Sequence, residues 1–144
     1  MKIRLNDELV IKVKTISKWE SRPYPYFSDY FKPWMRIWNY RLECEVNGHT
    51  FRFTWHDSIS AWAEGERTMT ERKYINAFSN ALSDAISYLQ CPTLEDFINE
   101  FGYDTEDYCA EKVYEACGVM YNEFAQIFSE QEMYDLSNEL EERW

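Results

Sequence analysis

The side chains here that could do chemistry are a His-Asp-Ser run at 56–58, the cysteines, and a large excess of carboxylates. His56, Asp57 and Ser58 have the members of a nucleophile–base–orienter line, but neighbours in sequence do not normally reach one another in that geometry. No strand–turn–helix elbow of the G-x-S-x-G kind surrounds Ser58. Polar residues leaving a strand account for the run. His49 stands at the other end of the same segment, too far along it to share a metal with His56. Cys44, Cys91, Cys109 and Cys117 show no C-x-x-C pair and no histidine spacing of a zinc site. Cys109 and Cys117 fall on an apolar stripe, where a free thiol behaves as a small hydrophobe. Phosphate-binding and zinc-protease motifs are missing, and 4 glycines are too few for a phosphate cradle. The expectation is a non-enzyme with no catalytic residue, cofactor or metal.

The carboxylates remain. Net charge is −11, and its distribution says more than its sum. Residues 1–73 hold 13 Lys and Arg against 10 Asp and Glu, whereas residues 74–144 hold 2 against 16. An acidic surface repels phosphates, so direct nucleic-acid binding is not expected of that half. It attracts a basic partner and speeds encounter with it, although solubility alone also calls for acidity. Asp104, Glu106 and Asp107 could approach a magnesium ion, but acids at a helix start already serve the positive end of the helix.

The elements that must position these groups are organised around residues 93–128. Thr93 has Asp96 three residues on, which predicts an N-cap. Phe97, Ile98 and Phe101 follow at helical spacing, and Gly102 is the expected left-handed stop. Asp104 with Asp107 predicts a second start. The next helix places Cys109, Val113, Cys117, Met120, Phe124 and Phe128 on one side and Glu111, Glu115 and Asn122 on the other. Gly118 interrupts it, and close packing of another element explains a residue that costs about 1 kcal/mol against alanine.

Phe97, Glu100-Phe101-Gly102-Tyr103-Asp104, Lys112, Tyr114 and Ala116-Cys117 together resemble a pattern shared by small uncharacterised phage and prophage proteins. In those chains a β-rich half precedes an F-x-x-x-F-G-Y-D stretch and a helix carrying K-x-Y-x-A-C. The resemblance implies origin on a mobile element and action inside a bacterium. Such small acidic phage proteins are often similar in character to inhibitors of host defence, including anti-CRISPR and antirestriction proteins. No catalytic residue is carried over with it.

Ahead of that stretch, Lys2–Leu5 and Leu9–Lys14 predict an antiparallel pair, with Ile11 and Val13 on one face and Lys12 and Lys14 on the other. Residues 16–34 carry three prolines and seven aromatics and predict an irregular segment. Tyr24, Tyr26, Phe27, Tyr30, Phe31 and Trp34 would either cap the sheet or form an exposed aromatic anchor. Arg22 and Lys32 beside the rings also permit base stacking, but no wider basic field is visible. Trp38–Val46 and His49–Trp55 alternate around Asn47-Gly48, a type I′ turn signal. That turn pairs Val46 with His49, Cys44 with Phe51, Leu42 with Phe53 and Tyr40 with Trp55, leaving one face to be covered by helices. Thr68 with Glu71 predicts a capping box for a helix over 70–90, carried by Ile75, Phe78, Leu82, Ile86 and Leu89 and ended by Pro92. Ser129 with Glu132 predicts the start of a last helix, with Met133, Leu136 and Leu140 inside and Glu130, Asp135, Glu139, Glu141 and Glu142 outside.

The expected fold is therefore α+β: one domain over 1–144, with a β-rich antiparallel sheet at 1–60 packed against about four acidic helices at 68–144. No apolar run approaches the roughly 18–20 residues of a membrane span, and no leader-like segment opens the chain, so a cytoplasmic protein is expected. The expected function is inhibition of a host nucleic-acid-binding defence complex. Glu95, Glu106, Asp107, Glu111, Glu115, Glu130, Glu139 and Glu142 would mimic nucleic acid, and Tyr24, Tyr26, Phe27, Tyr30, Phe31 and Trp34 would anchor. The partner would be a basic nucleic-acid-binding protein, a CRISPR effector or a restriction enzyme, with no direct nucleic acid and no membrane involved. The chain would act as a monomer or homodimer. The other expectation is a small-ligand binder or sponge using an aromatic pocket around residues 24–38.

Overall fold

A computed structural model describes residues 1–21, 37–57, 69–102 and 108–143. Strands β1 (Lys2–Arg4), β2 (Val10–Ser21), β3 (Ile37–Val46) and β4 (His49–His56) are followed by helices α1 (Glu71–Gln90), α2 (Leu94–Phe101), α3 (Tyr108–Ala125) and α4 (Glu130–Arg143). The strands form one sheet in the order β1-β2-β3-β4, every neighbouring pair antiparallel. This is the α+β class. The chain divides into two compact units, Met1–Ala77 and Phe78–Trp144, with the division inside α1.

In the first unit, the β1–β2 turn is held by the Asn6 side chain. Its Oδ1 accepts from the backbone N–H of Glu8 at 2.9 Å and of Leu9 at 2.8 Å. The β3–β4 hairpin has the register that its turn dictates, from Val46 opposite His49 to Tyr40 opposite Trp55. Asn47 at φ 51° and Gly48 at φ 82° give the two left-handed residues of a type I′ turn. Ile11, Val13, Tyr40, Leu42, Cys44, Phe51, Phe53 and Trp55 are buried on one side, while Lys12, Lys14, Thr50, Arg52 and Thr54 are exposed on the other. The start of α1 belongs to the same unit. The Tyr74 and Thr15 hydroxyls meet at 2.9 Å, and Lys73 Nζ lies 2.9 Å from Asp57 Oδ2.

Two expectations need correction here. The irregular segment set at 16–34 begins too early, because β2 continues to Ser21; the remainder of that segment lies outside the described residues. The strand survives there through a bulge. Thr15 pairs with Leu42 and Ser17 with Arg41, so Ile16 has no opposite number. The cap of α1 is also displaced. Thr70, not Thr68, stands before Glu71, and its Oγ1 accepts from Lys73 N at 3.3 Å. Glu71 is the first helical residue and so cannot be the third member of a box; Thr68 lies outside the described residues.

In the second unit, Thr93 Oγ1 accepts from Asp96 N at 3.1 Å, and Gly102 closes α2 at φ 71°. Ser129 and Glu132 form a reciprocal box: Ser129 N donates to Glu132 Oε1 at 3.0 Å, and Glu132 N donates to Ser129 Oγ at 3.2 Å. A Cβ built on Gly118 would lie 2.9 Å from the Tyr88 ring. Tyr88 also lies 5.0 Å from Tyr114 and 5.5 Å from Tyr121, ring centre to ring centre, so the glycine is the floor of a slot between two tyrosines of α3. Cys91, Phe97 and Cys117 pack beside that slot with Leu94 and Tyr114.

The α3 stripe is rotated from the expected one. Ala110, Cys117, Met120 and Phe124 are buried, but Val113 is 39 % exposed. Val113 lies between Met120 and Phe124 by helical angle, and nothing in the structure explains its exposure; on the other flank Tyr114 widens the buried face by packing on Cys91, Phe97 and Cys117. Phe128 lies past the end of α3 at Ala125, and Phe101 is 49 % exposed although its ring contacts Phe97. The start signalled by Asp104 and Asp107 lies outside the described residues, as does the side chain of Cys109.

Candidate interaction surfaces

The helices of the second unit carry their carboxylates outward. Glu95 on α2, Glu111 and Glu115 on α3, and Glu130, Glu139 and Glu142 on α4 are all exposed, as are Asp96, Glu100, Asp135 and Glu141. Periodicity is the reason. Each helix turns its apolar stripe inward, which leaves positions such as 111 and 115, one turn apart, on the water side. Several acids also hold the helices together. Glu95 and Asp96 sit in the first turn of α2, Glu111 in that of α3, and Glu130 and Glu132 in that of α4, where the helix dipole favours negative charge. Glu130 Oε1 accepts from the Tyr121 hydroxyl at 3.4 Å. Burial, then the Glu130 charge and that hydrogen bond, hold the Tyr121 phenol above its ordinary pKa.

Residues 74–144 hold 2 Lys and Arg against 16 Asp and Glu, so carboxylates far outnumber the cations of that half. The other acids of the expected surface, Glu106 and Asp107, lie outside the described residues. So do all the expected aromatic anchors: Tyr24, Tyr26, Phe27, Tyr30, Phe31 and Trp34. A surface groove at the α1–α2 corner is lined by Gln90, Cys91, Pro92, Asp96, Asn99 and Glu100. Among the described residues no group of His, Cys, Asp and Glu is arranged to hold a metal ion.

The His-Asp-Ser run does not assemble. His56 Nδ1 bonds Asn39 Oδ1, Asp57 pairs with Lys73, and Ser58 lies outside the described residues. Although His56 as a residue is exposed, the bonded edge of its ring lies against Asn39, which is 3 % exposed, and desolvation lowers its pKa. The thiols of Cys44, Cys91 and Cys117 are free and buried. Burial pushes Cys44 and Cys117 up to about 12, so both thiols are protonated near neutral pH.

A second charged surface was legible only in part. The exposed face of the sheet gathers Lys2, Arg4, Lys12, Lys14 and Arg52, with half-buried Arg41, Glu43 and Glu45 between them. Alternation in the hairpin implies Arg41, Glu43 and Arg52 on the side away from Leu42, Cys44 and Phe51, and the β2 pattern put Lys12 and Lys14 outward. The missing signal was how β2 registers on β3. Among the described residues no helix is long and apolar enough to cross a membrane. No protein-family model, characterised protein or solved structure matches the chain.

Proposed function

We propose that this chain is a non-enzymatic, phage-encoded inhibitor of a host nucleic-acid-binding defence complex, of the anti-CRISPR or antirestriction type, acting in the bacterial cytoplasm. The observation that carries the reading is the exposure of the carboxylates on α2, α3 and α4, in a half where acids outnumber bases 16 to 2. A channel built to hold nucleic acid is lined with Lys and Arg at phosphate spacing. Exposed glutamates on rigid helices compete for those cations without supplying a substrate strand. Glu95, Glu111, Glu115, Glu130, Glu139 and Glu142 are the described residues of that surface.

The test is capture of a partner from bacterial lysate, followed by titration with that partner purified. A nucleic-acid-binding defence complex is expected, its own nucleic acid should compete with this chain, and affinity should fall steeply as salt rises. Affinity unchanged between low and high salt would remove the mimicry mechanism. Glu111→Lys with Glu115→Lys should weaken binding by roughly tenfold or more while leaving the fold intact, since both side chains are exposed.

A further inference from the structure

We propose that the open face of the sheet is a platform for single-stranded nucleic acid, with its lysines and arginines on phosphates and Trp19 under a base. Residues paired across a sheet project from the same side. Lys2 stands beside Lys12 and Lys12 beside Glu45; Lys14 stands beside Glu43 and Glu43 beside Arg52; Arg41 follows beside Thr54. With Arg4, this side bears six cations against two carboxylates, Glu43 and Glu45. The two signs also stand at different heights. Lys14 lies 3.2 Å from Glu43 and Arg52 lies 3.9 Å from it, yet their side chains are 70 % and 58 % exposed against 21 % for the glutamate. The cations therefore stand proud and the carboxylate is recessed. A concavity lined by Met1, Lys12, Lys14, Glu43, Glu45 and Thr50 opens on this side.

The bulge at Ile16 supplies the aromatic. Ile11 and Val13 point into the buried face, and unbroken alternation would send Trp19 after them. The extra residue reverses the parity, so Trp19 pairs with Asn39, two residues before Arg41 and on its side. Trp19 is 43 % exposed there, with His56 on the far side of Asn39. From Lys12 to Trp19 the track spans about 20 Å of strand, room for a few nucleotides.

An antiparallel face with an exposed ring and flanking cations suits unstacked bases and not a duplex, whose groove admits a helix or a two-stranded ribbon. The repulsion argument that set nucleic acid aside applies to the helices; the sheet carries the opposite sign.

Fluorescence anisotropy with labelled oligouridylate, oligothymidylate and duplex DNA tests the proposal on the full chain. Single strands should bind better than duplex, with a slope of log affinity on log salt near −2 for about three phosphate contacts. Lys14→Glu with Arg52→Glu should weaken binding by roughly tenfold or more, and Trp19→Ala by roughly tenfold. Glu43→Gln removes a competing carboxylate and should tighten it, a gain that damage to the fold would not produce. The proposal is overturned if no single strand binds at low salt, or if the reversed pair binds as the parent does with an unchanged circular dichroism spectrum. Self-association in sedimentation that the same substitutions abolish would give the face to a second copy and overturn it equally.

Discussion

A methyl group on Gly118 would meet the face of Tyr88 at 2.9 Å, and that ring has little room to retreat between Tyr114 and Tyr121. Alanine gains about 1 kcal/mol in helix propensity, but overpacking costs about 1–3 kcal/mol, so Gly118→Ala should destabilise by about 1 kcal/mol in urea unfolding. With Tyr88→Leu already in place the same change should stabilise. The contact was legible in outline, since a glycine inside a helical stripe asks for a close neighbour. The identity of the neighbour was not, because nothing in the α3 pattern points to a tyrosine of α1. Cys44 and Cys117, held at about 12 by burial, should resist iodoacetamide in the native protein and react once it is unfolded, as read by mass spectrometry. At His56 the folded pKa lies below the unfolded one, so the unfolded chain binds the proton more readily. Stability from that site is present above the unfolded pKa and is lost as pH falls through and below it. His56→Gln should remove this part of the pH dependence, measured as the urea midpoint from about pH 7 to about pH 5.

Among the elements, the short-range ones were the most legible. Thr93, Gly102, Ser129 with Glu132, and Asn47-Gly48 each encode a local hydrogen-bond or dihedral requirement, and each occupies the position its type demands. Ser129→Ala should cost about 1 kcal/mol, seen as an earlier loss of helical signal in thermal unfolding. The misplacements have equally physical causes. Thr68 and Thr70 are both hydroxyls ahead of an acid, and the first turn chose the nearer one. Ile16 broke the β2 alternation, so the strand looked finished where it only changed parity. A bulge has no residue-type signature as strong as that of a turn, and for that reason the basic face with Trp19 was not seen whole.

At the scale of the whole molecule, the imbalance of 2 bases to 16 acids in residues 74–144 has a cost in self-repulsion. Adding sodium chloride at neutral pH should therefore raise the melting temperature of the helical signal, and a fall would mean that the acids are better paired than composition allows. The fold class was readable because the two halves use different periods, two and then 3.6, over long stretches. The sign of the sheet face was not, because net charge averages over the whole chain. One residue of β2 stands outside the ladder that sets that face. Removing Ile16 would make Thr15, opposite Leu42, and Ser17, opposite Arg41, direct neighbours in a regular ladder, with Trp19 still opposite Asn39 on the outer side. The bulge is thus a point of length tolerance: a codon lost there spares both the outer chemistry of the domain and its interior, so the gene can drift in length at that spot without a change of surface.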